Sequence, residues 1–284
     1  MLYLTRTQIR AMVDRIGQPK ASVILNQFFI NYRQWLNSAD VNSLYDTQYF
    51  SIIENHPIAY NMMDKYKINI YNRYSYEYLS HRISQNMRIL DVGCGTGDFS
   101  LALAAESGVL VLGVDMSSNA IEVARKKQGT DLPNCRFECL DVTNLNPSPD
   151  EKFNFIILND VTEHLSDKEL TLLFTKIRHL LTQDGEVIIH TPNGIALCND
   201  TDSSVLQILF KLYLRLFKGW KGFERSVEQL YYHQTHINIK SYREYKKILT
   251  SLGYKSKVIY DESYKPAFMT PVSSSNMLVI CTLK

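Results

Sequence analysis

The chain lacks any apolar run close to the roughly 20 residues that a membrane-spanning helix needs. It also lacks a strong charge of one sign, because 31 lysines and arginines offset 29 acids and leave a net charge of +2. With this balance of charges the protein has no overall positive electrostatic field that would hold a polyanion. A nucleic-acid partner would need a dense basic patch with interleaved aromatic residues, and no such patch is visible. Nucleic acid is therefore disfavoured as a partner.

Cysteine is too scarce and too scattered to suggest a disulfide framework. There are five cysteines, at positions 94, 135, 139, 198 and 281, and the pair Cys135 and Cys139 has no second pair with which to complete a zinc site. We expect reduced thiols in a cytoplasmic protein. The first residues, MLYLTRTQIRAMVDR, are charged too early and too often for a secretory signal.

The sequence pattern changes at Arg88. Residues 1–85 are helix-like and rich in tyrosine, whereas short apolar runs then alternate with amphipathic stretches such as SNAIEVARKKQ. This alternation predicts β-α-β units, and therefore a mostly parallel sheet covered by helices. The predicted strands are 88–92, 109–114, 136–140, 153–158, 186–190, 256–260 and 277–283.

A glycine-rich loop follows the first predicted strand in ILDVGCGTGDFS, residues 89–100. Gly93, Gly95 and Gly97 allow the backbone to turn sharply and to approach a ligand closely before a helix begins. A dinucleotide fingerprint would place its third glycine at position 98, where this chain has Asp98. A carboxylate there would repel a pyrophosphate and attract a positively charged ligand.

ILDVGCGTGDFS resembles the first motif of the class I S-adenosylmethionine-dependent methyltransferases. VLGVDMSSNAIEVAR, LDVTNL, FNFIILNDVTEHL and LLTQDGEVIIHTPN resemble later motifs in family order. The resemblance covers roughly residues 86–284 and is nearest to the quinone-pathway and sugar O-methyltransferases. It implies a Rossmann-like fold, with a seven-stranded mostly parallel sheet and helices on both faces.

The resemblance also implies S-adenosylmethionine as cofactor. In the family the glycine loop lies against the amino-acid part of the cofactor, the acid at Asp115 binds the ribose hydroxyls, Met116 packs on the adenine, and Asp141 accepts from the adenine amino group. A carboxylate about 20 residues past the glycines is also the ribose position of nucleotide-binding folds in general. Alternatively, Asp115 and Asp141 cap a helix or turn. The implied cofactor-binding residues are Asp91, Gly93, Cys94, Gly95, Gly97, Asp98, Asp115, Met116, Asp141, Val142 and Asn159.

Methyl transfer to a hydroxyl requires a base. Asp160, Glu163 and His164 stand at i, i+3 and i+4 after the fourth predicted strand, so a helical turn would place them on one face at the ligand-binding edge of the sheet. The resemblance brings His236 to the same pocket. The candidate catalytic residues are Glu163, His164 and His236, and the alternative is that Glu163 and His164 are ordinary polar residues at a helix start.

Some relatives in that branch, and the small-RNA 2′-O-methyltransferases, are thought to gather a divalent metal with residues at these positions. The candidate ligands here are Asp160, Glu163, His164 and His236, which would supply mixed oxygen and nitrogen ligands. Asp160 is shorter than the glutamate usual at that position. We therefore prefer a general base without metal and keep a divalent metal as the alternative.

Residues 195–235 exceed what the minimal fold needs. They include a strongly apolar stretch, with Lys211, Arg215 and Lys218 on one helical stripe. Such a helix would form a lid or substrate wall, contact a membrane surface through 203–220, or pack on the protein's own core. The expected organisation is a helical extension at 1–85, a cofactor-binding core at 86–194, a helical lid insertion at 195–235 and the rest of the core at 236–284.

The sequence therefore favours methyl transfer to a hydroxyl of a small molecule, natural product or glycan or lipid precursor, in the cytoplasm or peripheral to a membrane. The alternatives are an N-methyltransferase, an RNA 2′-O-methyltransferase that uses the metal, and a noncatalytic cofactor-binding protein. The acceptor atom, pathway and oligomeric state are left open.

Overall fold

A computed structural model describes residues 6–17, 72–106, 108–145, 151–194, 238–260 and 276–284, together with residues 21, 24, 212, 216 and 236. Apart from residues 212 and 216, the expected lid at 195–235 lies outside the described residues, as does most of the expected helical extension. The hypothesis of membrane contact through 203–220 likewise stays a prediction. Within the described ranges, no helix has the length and apolar character needed to cross a membrane.

The described chain is built on a seven-stranded sheet. The strands are β1 (Arg88–Val92), β2 (Leu110–Asp115), β3 (Cys135–Cys139), β4 (Phe153–Asn159), β5 (Leu181–Pro192), β6 (Tyr254–Tyr260) and β7 (Asn276–Leu283). Their order in the sheet is β3-β2-β1-β4-β5-β7-β6. The first five strands pair in parallel, and β7 is antiparallel to both β5 and β6. The predicted mostly parallel, Rossmann-like sheet is confirmed.

Helices cover both faces of this sheet, because alternate residues of its buried strands are apolar on both sides. The helices are α1 (Arg6–Ile16), α2 (Arg73–Ser80), α3 (Asp98–Ala104), α4 (Ser118–Gln128), α5 (Asp167–Leu180) and α6 (Tyr242–Ser251). One buried cluster joins β1, β4 and β5 to α5 and α6, and the other joins the same strands to α2, α3 and α4.

Two helices that follow candidate site segments begin with reciprocal caps. The Ser166 hydroxyl accepts a hydrogen bond from the Glu169 N–H, and the Glu169 carboxylate accepts from the Ser166 N–H. Ser241 and Glu244 form the same box at the start of α6. Each cap stabilises its helix by about 1 kcal/mol. The segments that carry the candidate residues before α5 and α6 therefore end at well-defined helix starts, Ser166 and Ser241.

The carboxyl ends of the parallel strands meet at one edge of the sheet. The glycine loop follows β1, Asp115 ends β2, Asp141 follows β3 and Asn159 ends β4. Strand order changes direction between β1 and β4, which is where open α/β sheets bind ligands. The fold thus gathers sequence-distant candidates at one edge.

Candidate active site

The glycine loop turns from β1 into α3 and leaves one side of its backbone open. Gly93, Gly95 and Gly97 have φ values of 72°, 53° and 78°, in the left-handed region that favours glycine. A Cβ added at Gly93 would lie 2.5 Å from Val161, and one at Gly97 would lie 2.6 Å from Phe137. At Gly95 an added Cβ would meet no atom of the described chain within 4 Å. Gly95 therefore faces the space in which a ligand can approach.

Asp115 reaches back from the end of β2 to this loop. Its Oδ2 accepts a hydrogen bond from the Gly95 N–H at 2.8 Å, and its Oδ1 accepts from the Ser117 N–H at 2.9 Å. Because a carboxylate oxygen can accept two hydrogen bonds, holding the loop does not prevent Asp115 from binding ribose hydroxyls. Its position agrees with the predicted ribose contact, which stays a prediction.

Asp98 has a strong partner within the protein. Its Oδ2 accepts from the Lys127 ammonium and from the Thr96 hydroxyl, each at 2.7 Å. Lys127 offsets part of the negative charge of Asp98, and the predicted attraction of Asp98 for a cationic ligand stays a prediction. The observed role of Asp98 is to tie the glycine loop to α4.

Asp91 lies in β1 just before the loop and is only 2% exposed. Burial is the main cause that raises the pKa of Asp91 to about 7; a hydrogen bond from Ser100 lowers it and the charge of Asp115 raises it. A cationic ligand beside Asp91 would favour its charged form. Burial also raises the pKa of the Cys94 thiol, which disfavours the reactive thiolate form.

The predicted adenine contacts lie near the ends of β2 and β3. The Asp141 Oδ1 accepts from the Thr143 N–H at 2.8 Å and so caps the short 3-10 turn Val142–Asn144. This is the capping role that the sequence left open, and it still leaves the second carboxylate oxygen of Asp141 for the adenine contact. Val142 is buried in the core and Met116 is half-buried. Adenine contacts from these residues stay predictions.

Glu163, His164 and His236 come together, as the sequence predicted for the catalytic residues. Glu163 and His164 lie in the 3-10 turn Thr162–His164 after β4. One potential ligand atom from each of the three residues lies within 4.8 Å of the other two. The imidazole rings of His164 and His236 meet edge to face, with centroids 4.8 Å apart. Two histidines and a carboxyl group thus share one site.

Backbone and side-chain hydrogen bonds hold the segment near His236 against this turn. The Asn238 N–H donates to the Glu163 carbonyl at 2.9 Å, and the Asn238 side-chain amide donates to the Leu165 carbonyl at 2.8 Å. From α6, the Tyr245 hydroxyl donates to the Thr162 hydroxyl at 2.7 Å. The 3-10 turn is thereby fixed from two sides.

Glu163 is fully buried. The Thr191 hydroxyl donates to its Oε2 at 3.1 Å, whereas no hydrogen-bond partner for its buried Oε1 is found in the described part of the chain. Burial, and then the nearby charge of Asp160, raise the pKa of Glu163 well above its usual value. Glu163 is therefore suited to hold a proton until a positive group lies beside it.

Asp160 is turned toward a residue that the sequence did not single out. Its carboxylate lies 2.8 Å from Nδ1 of His190, and its backbone N–H donates to the His190 carbonyl at 2.9 Å. Asp160 has a φ of 53°, which is uncommon for a residue other than glycine. Among the described residues the ligand cluster contains Glu163, His164 and His236 without Asp160. The four-residue metal set is thus only partly assembled.

A sequence profile of the methyltransferase domain family matches residues 83–251, which is more than half of the chain. This chain belongs to the methyltransferase domain family. The match includes the glycine loop, Asp115 and the turn with Glu163 and His164. The family resemblance inferred from the motifs is confirmed.

Curated methyltransferase relatives align over part of their length. A Geobacillus sp. protein named as a methyltransferase is 36% identical over 98 residues, which are 34% of this chain and 39% of that protein. The ubiquinone biosynthesis O-methyltransferase of Coxiella burnetii is 32% identical over 127 residues, 44% of this chain and 53% of that protein. The chain thus spans about half or less of the length of these relatives.

A solved methyltransferase structure shares the fold. Magnesium protoporphyrin IX methyltransferase from Synechocystis, crystallised with S-adenosylmethionine, superposes with a TM-score of 0.55 at 14% identity, over 88% of this chain and 100% of that one. Similarity at this identity concerns the fold alone.

Sequence reasoning missed several residues that organise the site of this methyltransferase. These residues are Ser75, His190, Thr191 and Asn238. Ser75 donates a hydrogen bond to Asn159. His190 and Thr191 follow an apolar run in β5, and polar residues at the carboxyl end of a parallel strand are a usable signal. Ser75 lies in a helix with no such signal.

Proposed function

We propose that the protein transfers a methyl group from S-adenosylmethionine to a hydroxyl group of a small molecule, and that His164 and His236 assist in removing the hydroxyl proton. The observation that carries the proposal is the meeting of these histidines with Glu163 at the end of β4. This is the edge that also carries the glycine loop. Partial similarity to a ubiquinone biosynthesis O-methyltransferase supports a hydroxyl acceptor.

The cofactor supplies a methyl group on a sulfonium that is already a good leaving group, so the protein mainly has to position the reactants. The open backbone at Gly95 and the Asp115 carboxylate are the groups that we expect to hold the cofactor. Gly95 follows β1, which pairs with β4, and Asp115 ends β2 on the other side of β1. A cofactor bound at this edge of the sheet would therefore extend toward the histidines at the end of β4.

The two histidines differ in exposure. His236 is half-buried, whereas His164 is 6% exposed. We therefore expect His236 to meet the substrate hydroxyl, with His164 packed against it and Glu163 behind. An imidazole of ordinary pKa accepts a proton readily near neutral pH. A positive imidazole beside Glu163 would favour the charged carboxylate, which would in turn stabilise the proton on the histidines.

A divalent metal is the alternative way to lower the pKa of the hydroxyl. Glu163, His164 and His236 would hold it, and the buried Oε1 of Glu163 has no hydrogen-bond partner among the described residues that would compete with a metal. Neighbouring ligands of one ion at about 2.1 Å lie about 3 Å apart, whereas these atoms are spread over up to 4.8 Å. The set fits a metal after a small closure, and we keep the metal-free base as the proposal.

The proposal is tested by measuring S-adenosylhomocysteine formation with a panel of phenols, polyols and amines. His164→Ala and His236→Ala should each lower turnover on a hydroxyl substrate by about 100-fold or more, while affinity for S-adenosylhomocysteine changes little. His179→Ala, which removes an exposed histidine from the far end of α5, is the matched control and should change neither quantity.

Three results would contradict the proposal or part of it. Equal losses of turnover and cofactor affinity in both site variants would indicate a structural role for the histidines. Methylation of an amine that neither variant affects would identify an N-methyltransferase instead. Activity that disappears with EDTA and returns with Mg²⁺ or Zn²⁺ would replace the metal-free base by the metal alternative.

A further inference from the structure

Asp160 is attached to the end of β5 at two points. Its Oδ1 lies 2.8 Å from Nδ1 of His190, and its backbone N–H donates to the His190 carbonyl at 2.9 Å. The Asp160 side chain is 35% exposed, whereas the His190 side chain is completely buried. A ring packed in the protein interior has little room to turn. The position of the His190 ring therefore decides where the Asp160 carboxylate lies.

The sheet fixes the backbone of His190. In β5, His190 pairs with Asn159 of β4 on one side and with Leu278 of β7 on the other. Asp160, by contrast, follows the last residue of β4 and has a φ of 53°. A left-handed backbone is unfavourable for most residues with a Cβ, and it persists where the surrounding structure stabilises it. The two contacts with His190 supply that stabilisation.

The attachment keeps a carboxylate out of the neighbouring ligand cluster, which consists of Glu163, His164 and His236. The three ligand atoms of this cluster lie within 4.8 Å of one another, and Asp160 is not among its members. Asp160 is nevertheless near enough for its charge to help raise the pKa of Glu163. Asp160 is therefore a neighbour of the ligand cluster whose carboxylate is engaged by another residue.

The donor atoms of the ligand cluster bear on the ions that it can hold. Mg²⁺ and Mn²⁺ prefer oxygen ligands, whereas two imidazoles and one carboxyl group form a nitrogen-rich set that suits Zn²⁺. The carboxylate of Asp160 would add an oxygen ligand and a negative charge. Its engagement by His190 therefore disfavours the oxygen-preferring cations most.

We infer that His190 is a positioning residue that holds Asp160 away from the ligand cluster and so lowers the affinity of this cluster for oxygen-preferring divalent cations. The inference deepens the proposed metal-free use of Glu163, His164 and His236, on which it rests. It gives a role to a residue outside the ligand set predicted from the sequence. It also explains why that set is only partly assembled.

Calorimetric titration with Mn²⁺ and with Zn²⁺ tests the inference without an activity assay. The protein is first freed of metal with EDTA and then of EDTA. His190→Leu leaves an apolar side chain in the buried position and releases Asp160, so it should raise the affinity for Mn²⁺ by about 10-fold or more, the scale on which partners of metal ligands change metal affinity. The gain for Zn²⁺ should be smaller. Adding Asp160→Asn to His190→Leu should abolish the gain for Mn²⁺.

His190→Asn is the matched control. An asparagine amide can donate a hydrogen bond to Asp160 from about the position of the imidazole Nδ1. The attachment is then kept, and the affinity for Mn²⁺ should stay at the wild-type level. His190→Phe retains a ring in the buried position but has no nitrogen for Asp160, and it provides the test if His190→Leu does not fold.

The inference is overturned if folded His190→Leu or His190→Phe binds Mn²⁺ with wild-type affinity, or if the gain survives the addition of Asp160→Asn. Weaker Mn²⁺ binding by His190→Leu than by the wild-type protein would overturn it as well, because the pair would then support a metal site. The metal-free base fails by a different result, a wild-type turnover that EDTA abolishes and a metal restores. That result leaves the comparison of Mn²⁺ affinities intact.

Discussion

Gly95→Ala is expected to separate cofactor binding from folding. The φ of 53° at Gly95 costs an alanine about 1–2 kcal/mol, but no atom in the described part of the chain lies within 4 Å of the added Cβ. The melting temperature should therefore fall by only about 2–8 °C. The new methyl group enters the space that we assign to the cofactor, so affinity for S-adenosylhomocysteine should fall by about 10- to 100-fold.

Gly97→Ala is the matched comparison. It has a similar φ, 78°, but its added Cβ would lie 2.6 Å from Phe137 and 2.8 Å from Ala124. Overpacking of this kind costs about 1–3 kcal/mol beyond the backbone cost. Gly97→Ala should therefore lose clearly more stability than Gly95→Ala.

Thermal unfolding without ligand and calorimetric titration with S-adenosylhomocysteine measure the two effects separately. The reasoning is refuted if Gly95→Ala binds with wild-type affinity, because the open side of the loop would then not face the cofactor. It is also refuted if the two variants lose equal stability.

Asp115→Ala should weaken binding of S-adenosylhomocysteine by about 10- to 100-fold, because it removes charged acceptors for the ribose hydroxyls and for the Gly95 N–H. Unchanged affinity by calorimetry would contradict the assignment of Asp115 to the ribose. His190→Leu and Asp160→Ala should lower turnover without changing cofactor affinity, and the double variant should be no worse than the poorer single variant, since the two side chains act as a pair. Additive losses in steady-state turnover would show that Asp160 and His190 act independently.

Much of the sheet was predictable from the sequence, because short apolar runs between turn residues are a local signal. The bounds of β1 match the prediction, and the predicted start of β5 at Glu186 was late. β5 begins at Leu181, which pairs with Phe153 before a register shift. The polar residues TQDG between Leu181 and Glu186 carry no strand signal, so tertiary pairing overrides their local preference.

The candidate site was predictable where a motif supplied its residues. Glu163, His164 and His236 were expected together, and the Asn238 N–H explains how the distant histidine is held. The pairs Asp160 with His190 and Ser75 with Asn159 were not predictable, because their members are 30 and 84 positions apart. Contacts of this kind depend on strand register and helix docking, which a single sequence does not specify.

The central claim is that the edge beside Gly95 and Asp115 binds S-adenosylmethionine, and titration of the EDTA-treated protein tests it most directly. Thermal-shift and calorimetric titrations with S-adenosylmethionine and S-adenosylhomocysteine should show saturable stabilisation with one ligand per chain. The metal-free base predicts the same affinity after Mg²⁺ or Zn²⁺ is added. A folded protein that neither ligand stabilises, with or without metal, would contradict the account.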